Sequence, residues 1–284
     1  MRLPLQEPRK CSQAQLGVIQ IPSPIVQHQI NQVRTGHQSA FAEYEEHGEI
    51  LFRHFRPDED DEQQMGELVF NNAFLGEPFD GICPCKRWFS DVVLGPYLKY
   101  QPENIHVAVH QPSGCLIGYL TGSMGGQQFE KLQYDMARKQ AMSLAASSAM
   151  PWNMFDRASR LFALHLIFKG ESERPTHPES GVHWHFQVDK VFRGQGIGAK
   201  LLQRFTTDAI ESDFRLIWAE VMAYPQKPPE YFEERGWSIY DAKPTMVFGD
   251  QVDFPVKVMC ITKPLSSFVS SRDASSAARR CHAE

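Results

Sequence analysis

The chain lacks paired cysteines, a long apolar run and an excess of basic charge, and each absence excludes a class of protein. Its six cysteines do not form the C-x-x-C pairs of a structural zinc site, and Cys83 and Cys85 have no second ligand pair near them. The most apolar stretch, residues 161–168, is far shorter than the roughly 20 residues that span a bilayer. The formal net charge of -5 gives no electrostatic reason to bind nucleic acid or an anionic membrane. We expect no metal, no membrane and no nucleic acid among the ligands.

The two ends of the chain carry no sustained helix or strand period. Residues 1–48 are rich in Gln, Pro and His, and we interpret them as a mobile leader that buries too little apolar area to offset its ordering entropy. Residues 266–284 look like a flexible tail, which leaves residues 49–265 as the predicted domain. Nothing at the N-terminus resembles a signal peptide and the chain does not need disulfides for stability, so we expect a cytoplasmic protein.

The first half of this domain predicts strands that flank two helices. A strand at 50–56 leads into an acidic run at 58–62, which complements the positive end of a helix dipole and reads as a solvated helix start. A second helix is predicted at 87–99. Strands at 106–110 and 115–120 are joined by a turn that contains Pro and Gly, which predicts a hairpin.

A long interruption follows at about 122–181, with helix-like pieces at 128–149 and 152–168. Insertions of this length tend to be lids or binding elements, although a helical pair that only adds core explains the pattern equally well. After the insertion the chain reads strand, glycine loop, helix, strand, helix and two closing strands. This order predicts a mixed α/β architecture.

The glycine loop is the most informative motif. It lies between a strand and an amphipathic helix and consists of Arg193, Gly194, Gln195, Gly196, Ile197 and Gly198. Glycines at alternate positions let several backbone N–H groups face one anion, and the helix start adds its unpaired donors and positive dipole end. We therefore predict a phosphate-bearing ligand here. A loose dinucleotide pattern also fits, but that fold needs the loop after a first, fully buried strand rather than after the half-polar strand 183–188.

Residues 193–198 match the R/Q-x-x-G-x-G/A signature of one enzyme superfamily, with Val188 at its upstream hydrophobic position, and residues 231–237 are similar to its late F-Y-E-K-x-G-F segment. On these motifs the chain resembles the GNAT superfamily of N-acetyltransferases over residues 50–262. It also resembles, more narrowly, bacterial relatives of the acetyltransferase-like domain of O-GlcNAc hydrolases. The segments that carry this second resemblance are Trp88-Phe89-Ser90-Asp91, residues 97–103, residues 118–122 and His183-Trp184-His185.

The GNAT resemblance implies a mostly antiparallel, twisted sheet that is splayed between its fourth and fifth strands, with the helical insertion between the third and fourth. It implies acetyl-CoA as the acyl donor, with the diphosphate on the glycine loop and the pantetheine arm along the backbone of Phe186, Gln187 and Val188. The acceptor implied is an amine of a small molecule or a protein, which attacks the thioester directly.

The predicted general base lies on one face of the splayed strands. Strand alternation puts His183, His185 and Gln187 on the same face, with Glu220 on the neighbouring strand. His185 and Glu220 are the candidate bases, because a histidine titrates near neutral pH and a buried glutamate has a raised pKa. For either residue, a structural polar group that is hydrogen-bonded within the sheet is an equal alternative.

The predicted general acid departs from the family pattern. Many members place a tyrosine where this chain has Phe232, and Tyr231, the residue before it, points about 100° away on a helix. Tyr231 is the candidate acid, while Tyr224 and Pro225 replace the usual asparagine after the fifth strand. A catalytically inactive module that binds CoA or a partner is therefore the alternative to an acyltransferase, and nicotinamide-dinucleotide binding is a third hypothesis.

Overall fold

The computed structural model describes residues 45–57, 60–83, 85–148 and 157–268. Within these ranges one sheet has eight strands in the order β1-β2-β3-β4-β5-β6-β8-β7. The strands are β1 (Glu45–His47), β2 (Ile50–His54), β3 (Ile105–His110), β4 (Cys115–Ser123), β5 (Val182–Val188), β6 (Leu216–Ala223), β7 (Ser238–Thr245) and β8 (Val256–Pro264). The helices are α1 (Asp61–Phe70), α2 (Lys86–Val93), α3 (Gly95–Tyr100), α4 (Gly126–Ser148), α5 (Arg157–Phe168), α6 (Gly170–Glu173), α7 (Ile197–Glu211) and α8 (Pro229–Glu233). None of the described helices combines the length and the apolar character that a bilayer crossing requires.

Neighbouring strands run antiparallel throughout this sheet except at the junction of β5 and β6. The short β1 precedes the predicted first strand, so the predicted third and fourth strands are β4 and β5. Helices α4, α5 and α6 lie between them in the chain. The mostly antiparallel mixed sheet and the position of the helical insertion are therefore confirmed.

The predicted chain ends fall largely outside the described residues. Glu45–His47, near the end of the predicted leader, pairs with β2 as a strand. Residues 1–44 of the leader and residues 269–284 of the predicted tail are not among the described residues. The domain boundaries at 49 and 265 stay predictions.

The acidic start of α1 is only in part the solvated cap that the sequence predicts. Asp61 is 2% exposed, and its two carboxylate oxygens accept hydrogen bonds from Nη1 and Nη2 of Arg53 at 2.6 and 2.8 Å. The backbone N–H of Arg56 donates to the same carboxylate at 2.9 Å. For Asp61 the prediction of a solvated position is wrong, because a bidentate arginine on β2 compensates its desolvation and fixes α1 to the sheet.

The helix predicted at 87–99 is two helices. The first, α2, ends at Val93, and the second, α3, starts at Gly95 with Pro96 in its first turn. Proline has no backbone N–H and its ring crowds the preceding turn, so one helix cannot run through this position. The break turns Tyr97 into the protein, where it is fully buried.

The insertion contributes to the hydrophobic core. Phe162 of α5 packs edge to face against Phe79 and Trp88, with ring centroids 5.2 and 6.0 Å apart. The indole N–H of Trp88 donates to the carbonyl of Gln140 in α4 at 3.1 Å. These contacts confirm the prediction that the helical pair adds to the core.

Helix α7 covers one face of the sheet. It packs on β4 where that strand has glycines at 118 and 122, so that Leu201 and Phe205 approach the backbone closely. A Cβ atom on Gly122 would lie only 1.9 Å from the ring of Phe205. The position of α7, and of the loop that precedes it, depends on this close approach.

We predict that Gly122→Val destabilises the protein by about 2–3 kcal/mol, because the side chain would push Phe205 and α7 away from β4. Urea unfolding measures the change. Gly170→Ala is the matched control, since a Cβ at Gly170 meets nothing within 4 Å, and it should stay within about 0.5 kcal/mol of the wild type. Equal stabilities of the two variants would contradict this packing.

Candidate functional site

Strands β5 and β6 part after a short parallel contact. Their last residue pair joins His183 to Trp218. Beyond it, β5 stays paired with β4 as far as Val188, and β6 stays paired with β8 as far as Ala223. A gap therefore opens inside the described sheet, and the facing backbone groups of the two strands have no strand partner there.

Part of the β5 backbone is turned toward this gap. The N–H of Asp189 donates to the carbonyl of Ile117 in β4 at 2.8 Å. Because successive residues of a strand direct their backbone groups to opposite sides, Gln187 also faces β4, whereas Phe186 and Val188 face the gap. Of the three predicted pantetheine-binding residues, Phe186 and Val188 offer gap-facing backbone groups and Gln187 does not.

The glycine loop is exposed and its amides are unpaired. Gly194 and Gly196 both have φ of 81°, and a Cβ at either position would meet nothing within 4 Å. Gly196 caps α7 without a side-chain hydrogen bond. Within the described part of the chain, the N–H groups of residues 194–198 donate to no acceptor. Several amides and the positive end of a 15-residue helix thus converge on open space, as an anion site requires.

The two outer residues of the motif have structural roles. A Cβ on Gly198 would lie 2.9 Å from the ring of Phe186, so the third glycine permits close contact between α7 and β5. Arg193 donates from Nε to the carbonyl of Val188 at 3.1 Å and hydrogen-bonds the side-chain oxygen of Asn72. Arg193 therefore holds the loop to β5 and to the end of α1.

Positive charge lies beside the loop. Burial and the nearby charge of Arg193 lower the pKa of Lys227 below its ordinary value. Lys227 and Arg193 therefore lie close enough to repel each other, and an anion bound between them would relieve this repulsion.

A chain of ion pairs joins the insertion to β6. Oε1 of Glu220 accepts hydrogen bonds from Nε of Arg174 at 2.8 Å and from Nε2 of His177 at 2.7 Å. The other ring nitrogen of His177 is 2.9 Å from Oε2 of Glu130 in α4. Both nitrogens of His177 thus face carboxylates, which is the arrangement of a doubly protonated imidazolium.

The ion pairs set the charges of this network. Burial opposes the charged form of His177, but the hydrogen bonds to Glu130 and Glu220 outweigh it and raise the pKa of the imidazole. Burial also opposes ionisation of Glu220, but the charge of Arg174 and the hydrogen bond from His177 hold the pKa of this carboxyl well below its ordinary value. An ionised carboxylate that already accepts from two donors is a poor proton acceptor, which argues against the predicted base role of Glu220.

Two neutral histidines lie next to this network. Burial lowers the pKa of His183 to about 3 and that of His185 to about 4. Nδ1 of His183 is hydrogen-bonded to the hydroxyl of buried Tyr97 at 2.8 Å, while Nδ1 of His185 is 3.5 Å from the hydroxyl of Tyr119. His183 is buried and His185 is half-buried, so His185 is the more accessible proton acceptor.

Comparisons with known proteins show which solved structures share this architecture. No protein-family model matches the sequence, and no curated protein sequence matches it. The crystal structure of SsHAT superposes with a TM-score of 0.55 at 18% identity, covering 77% of this chain and 99% of SsHAT. Weaker matches, each with a TM-score of 0.42, are an N-acetyltransferase from Staphylococcus aureus Mu50 at 14% identity and the NatC complex bound to Gag peptide and CoA at 15%. These cover 77% and 76% of this chain and 99% of each matched chain.

The chain has the GNAT fold. At these identities the likeness concerns the fold alone, which agrees with the sheet order, the parting of β5 and β6 and the glycine loop before α7. In this GNAT fold the network of Glu130, Arg174, His177 and Glu220 lies on the sheet face opposite α7.

The contacts of the predicted acid, Tyr231, do not include the two histidines of β5. Its ring is covered by the guanidinium of Arg235, 3.6 Å from the ring centroid, and Phe232 packs against the hydrophobic core. No hydrogen bond or ring contact among the described residues joins Tyr231 to His185 or Glu220. The charge of Glu220 acts on His185, so the two predicted bases lie on the same side of the gap, whereas the predicted acid has no contact with either of them among the described residues.

Sequence reasoning missed the partners that the insertion supplies. Arg174 and His177 are 46 and 43 residues from Glu220 in the chain, so no local period connects them. Their one signal is position, because Pro175 and Pro178 mark a loop immediately before β5 and loops at strand ends often carry functional residues.

We predict that the stability contributed by His177 depends on pH. A raised pKa in the folded state means that this stabilisation is complete below about pH 6.5, the ordinary histidine value, and is lost as the pH rises through the folded pKa. The difference in unfolding free energy between wild type and His177→Gln should therefore shrink as the pH rises. Urea unfolding on both sides of pH 6.5 measures it, with the more exposed His110→Gln as control. A difference that stays constant with pH would contradict the ion pairs.

Proposed function

We propose that this chain is an acyl-CoA-dependent N-acyltransferase that transfers acetyl from acetyl-CoA to an amine of a small molecule or a protein. The observation that carries the proposal is the gap between β5 and β6, which lies beside an exposed glycine loop with unpaired amides. An elongated ligand with a phosphate end and an amide-containing arm matches both features. Acetyl-CoA bound there would supply the activated thioester.

The donor side of the proposed site uses backbone groups. The gap-facing N–H and C=O of Phe186 and the N–H of Val188 are suited to pair with the amides of the pantetheine arm, as a further strand would, whereas the carbonyl of Val188 already accepts from Arg193. The amides of residues 194–198 are suited to the diphosphate, with Lys227 adding positive charge. Gln187 has its backbone turned to β4, and we leave it out of the proposed set of direct backbone ligands.

The acceptor side of the proposed site is the sheet face that the insertion covers. In the reaction the amine nitrogen forms a bond to the thioester carbonyl carbon, the carbon–sulfur bond breaks, and the CoA thiolate leaves. The attacking nitrogen must lose a proton, and we propose His185 as its acceptor because this imidazole is neutral at neutral pH and half-buried beside the gap. Glu220 then acts as a positioning residue that holds Arg174 and His177 in place.

A non-catalytic function is the second candidate, and the surroundings of Tyr231 favour it. Phe232 has no proton to donate, and Arg235 covers the ring of Tyr231. If Tyr231 does not protonate the thiolate, solvent has to do so. A CoA-binding or interaction module without turnover is the outcome if neither route operates. The narrower resemblance to relatives of the O-GlcNAc hydrolase domain and the cytoplasmic location stay predictions.

We predict that Gly196→Glu abolishes CoA binding, because it puts a carboxylate into the open space before the loop amides. Isothermal titration with CoA measures the affinity, and a loss of more than about 100-fold is expected from replacing attraction by repulsion at short range. Gly114→Glu is the matched control, since Gly114 also has positive φ and open space around its Cβ but lies in the β3–β4 hairpin. Unchanged affinity in Gly196→Glu would rule out the loop as the diphosphate site.

We predict that His185→Gln lowers kcat by about 10²–10⁴-fold while CoA affinity stays unchanged, because only proton transfer is removed. Thiol release from acetyl-CoA across a panel of amines measures turnover, and His110→Gln serves as the control. Turnover by the wild type with any amine supports the enzyme, whereas CoA binding without turnover supports the module. A kcat unaffected by His185→Gln would assign the base to another group.

A further inference from the structure

We propose a binding site for a divalent transition-metal ion of the Zn²⁺ class, formed by His54, His106 and Asp208. This site lies on the α7 side of the sheet, apart from the proposed acyl-transfer site on the opposite face. It goes against the sequence-based expectation of no metal. It is also independent of the proposed acyltransferase function.

Three separate elements bring the ligand atoms together. His54 at the end of β2 and His106 near the start of β3 are directly opposite in register. Phe52, two residues before His54 on β2, and Ala108, two residues after His106 on β3, lie on the same sheet face and belong to the hydrophobic core. Asp208 projects from α7, and one ligand atom from each of the three residues lies within 4.8 Å of the others.

The contacts within the group match metal-binding chemistry. Nε2 of His106 is 2.9 Å from Oδ2 of Asp208, and the two imidazole rings have centroids 4.5 Å apart. Two imidazoles and one carboxylate are nitrogen and oxygen donors typical of zinc and related divalent metals, and three protein ligands leave a fourth position for water. The described cysteines are not in this group, so the donor set has no thiolate.

A second observation concerns Nδ1 of His106, one of the two ring nitrogens through which this residue could ligate an ion. His106 is 1% exposed, and its Nδ1 has no hydrogen-bond partner among the described residues. A buried polar atom without a partner destabilises the fold unless a water or an ion satisfies the site. The hydrogen bond to Asp208 therefore does not account for the whole imidazole.

Arg204 opposes the ion and supplies a specific test. It lies one helical turn before Asp208 on α7, so its guanidinium charge is carried next to the aspartate ligand on the same helix. Removing the guanidinium charge while keeping all three ligands should strengthen metal binding. If the contact between His106 and Asp208 were only structural, removal of the Arg204 charge would not strengthen metal binding.

The experiment is titration of the chelator-treated full chain with Co²⁺ followed by absorption, and with Zn²⁺ followed by calorimetry. We expect one site with visible Co²⁺ bands and without thiolate charge-transfer bands. His54→Gln and Asp208→Asn should each weaken it by more than about 10-fold, and Arg204→Gln should strengthen it. Zn²⁺ should raise the thermal midpoint of the wild type but not that of the ligand variants.

Matched controls separate ligand loss from unfolding. His110→Gln removes a histidine from the other end of β3, and Glu211→Gln removes a carboxylate from the exposed end of α7, so both should bind metal as the wild type does. Circular dichroism of the metal-free variants checks that each is folded. The proposal is overturned if Co²⁺ binding shows only thiolate bands, or if folded His54→Gln and Asp208→Asn bind as tightly as the wild type.

Discussion

The sheet opens where Trp218 lies between two imidazole rings. It stacks on His183 of β5 with centroids 4.2 Å apart and on His177 of the insertion with centroids 4.4 Å apart. With 1% of its surface exposed, Trp218 fills the space at the last residue pair of β5 and β6. Ring contacts of this kind add about 0.5–1.5 kcal/mol to the burial of apolar area. The same indole therefore packs at the last parallel residue pair and contacts the insertion through His177.

The two sides of the gap differ in whether their charged and polar groups are paired. On the glycine-loop side, the amides of residues 194–198 have no hydrogen-bond acceptor among the described residues. On the insertion side, Glu220, His177 and Glu130 form a closed set of ion pairs, while His183 and His185 are neutral because burial disfavours their charged forms. Buried ion pairs add little net stability, but they make one arrangement of the insertion strongly preferred, since any displacement would leave a carboxylate unpaired.

The sequence predicts those parts of the structure that local patterns encode. The glycine loop, the hairpin of β3 and β4 and the order of elements follow from turn residues and periodicity, and the structure confirms their positions in the chain. Asp61 and the break at Pro96 show the limits, because tertiary contact overrides a surface pattern in the first case and a single residue divides a helical period in the second. The network around Glu220 depends on pairing between distant segments, which no local period records.

The insertion has a further consequence for how proteins of this fold diverge. Residues that face the gap from β5 and the glycine loop are contiguous in the chain, whereas Glu130, Arg174 and His177 come from a segment that enters and leaves the sheet at neighbouring strands. Under the proposed function, the donor side and the acceptor side of the site belong to separate stretches of sequence. A substitution in the second stretch, or exchange of the whole segment, would therefore leave the residues of the first stretch unchanged.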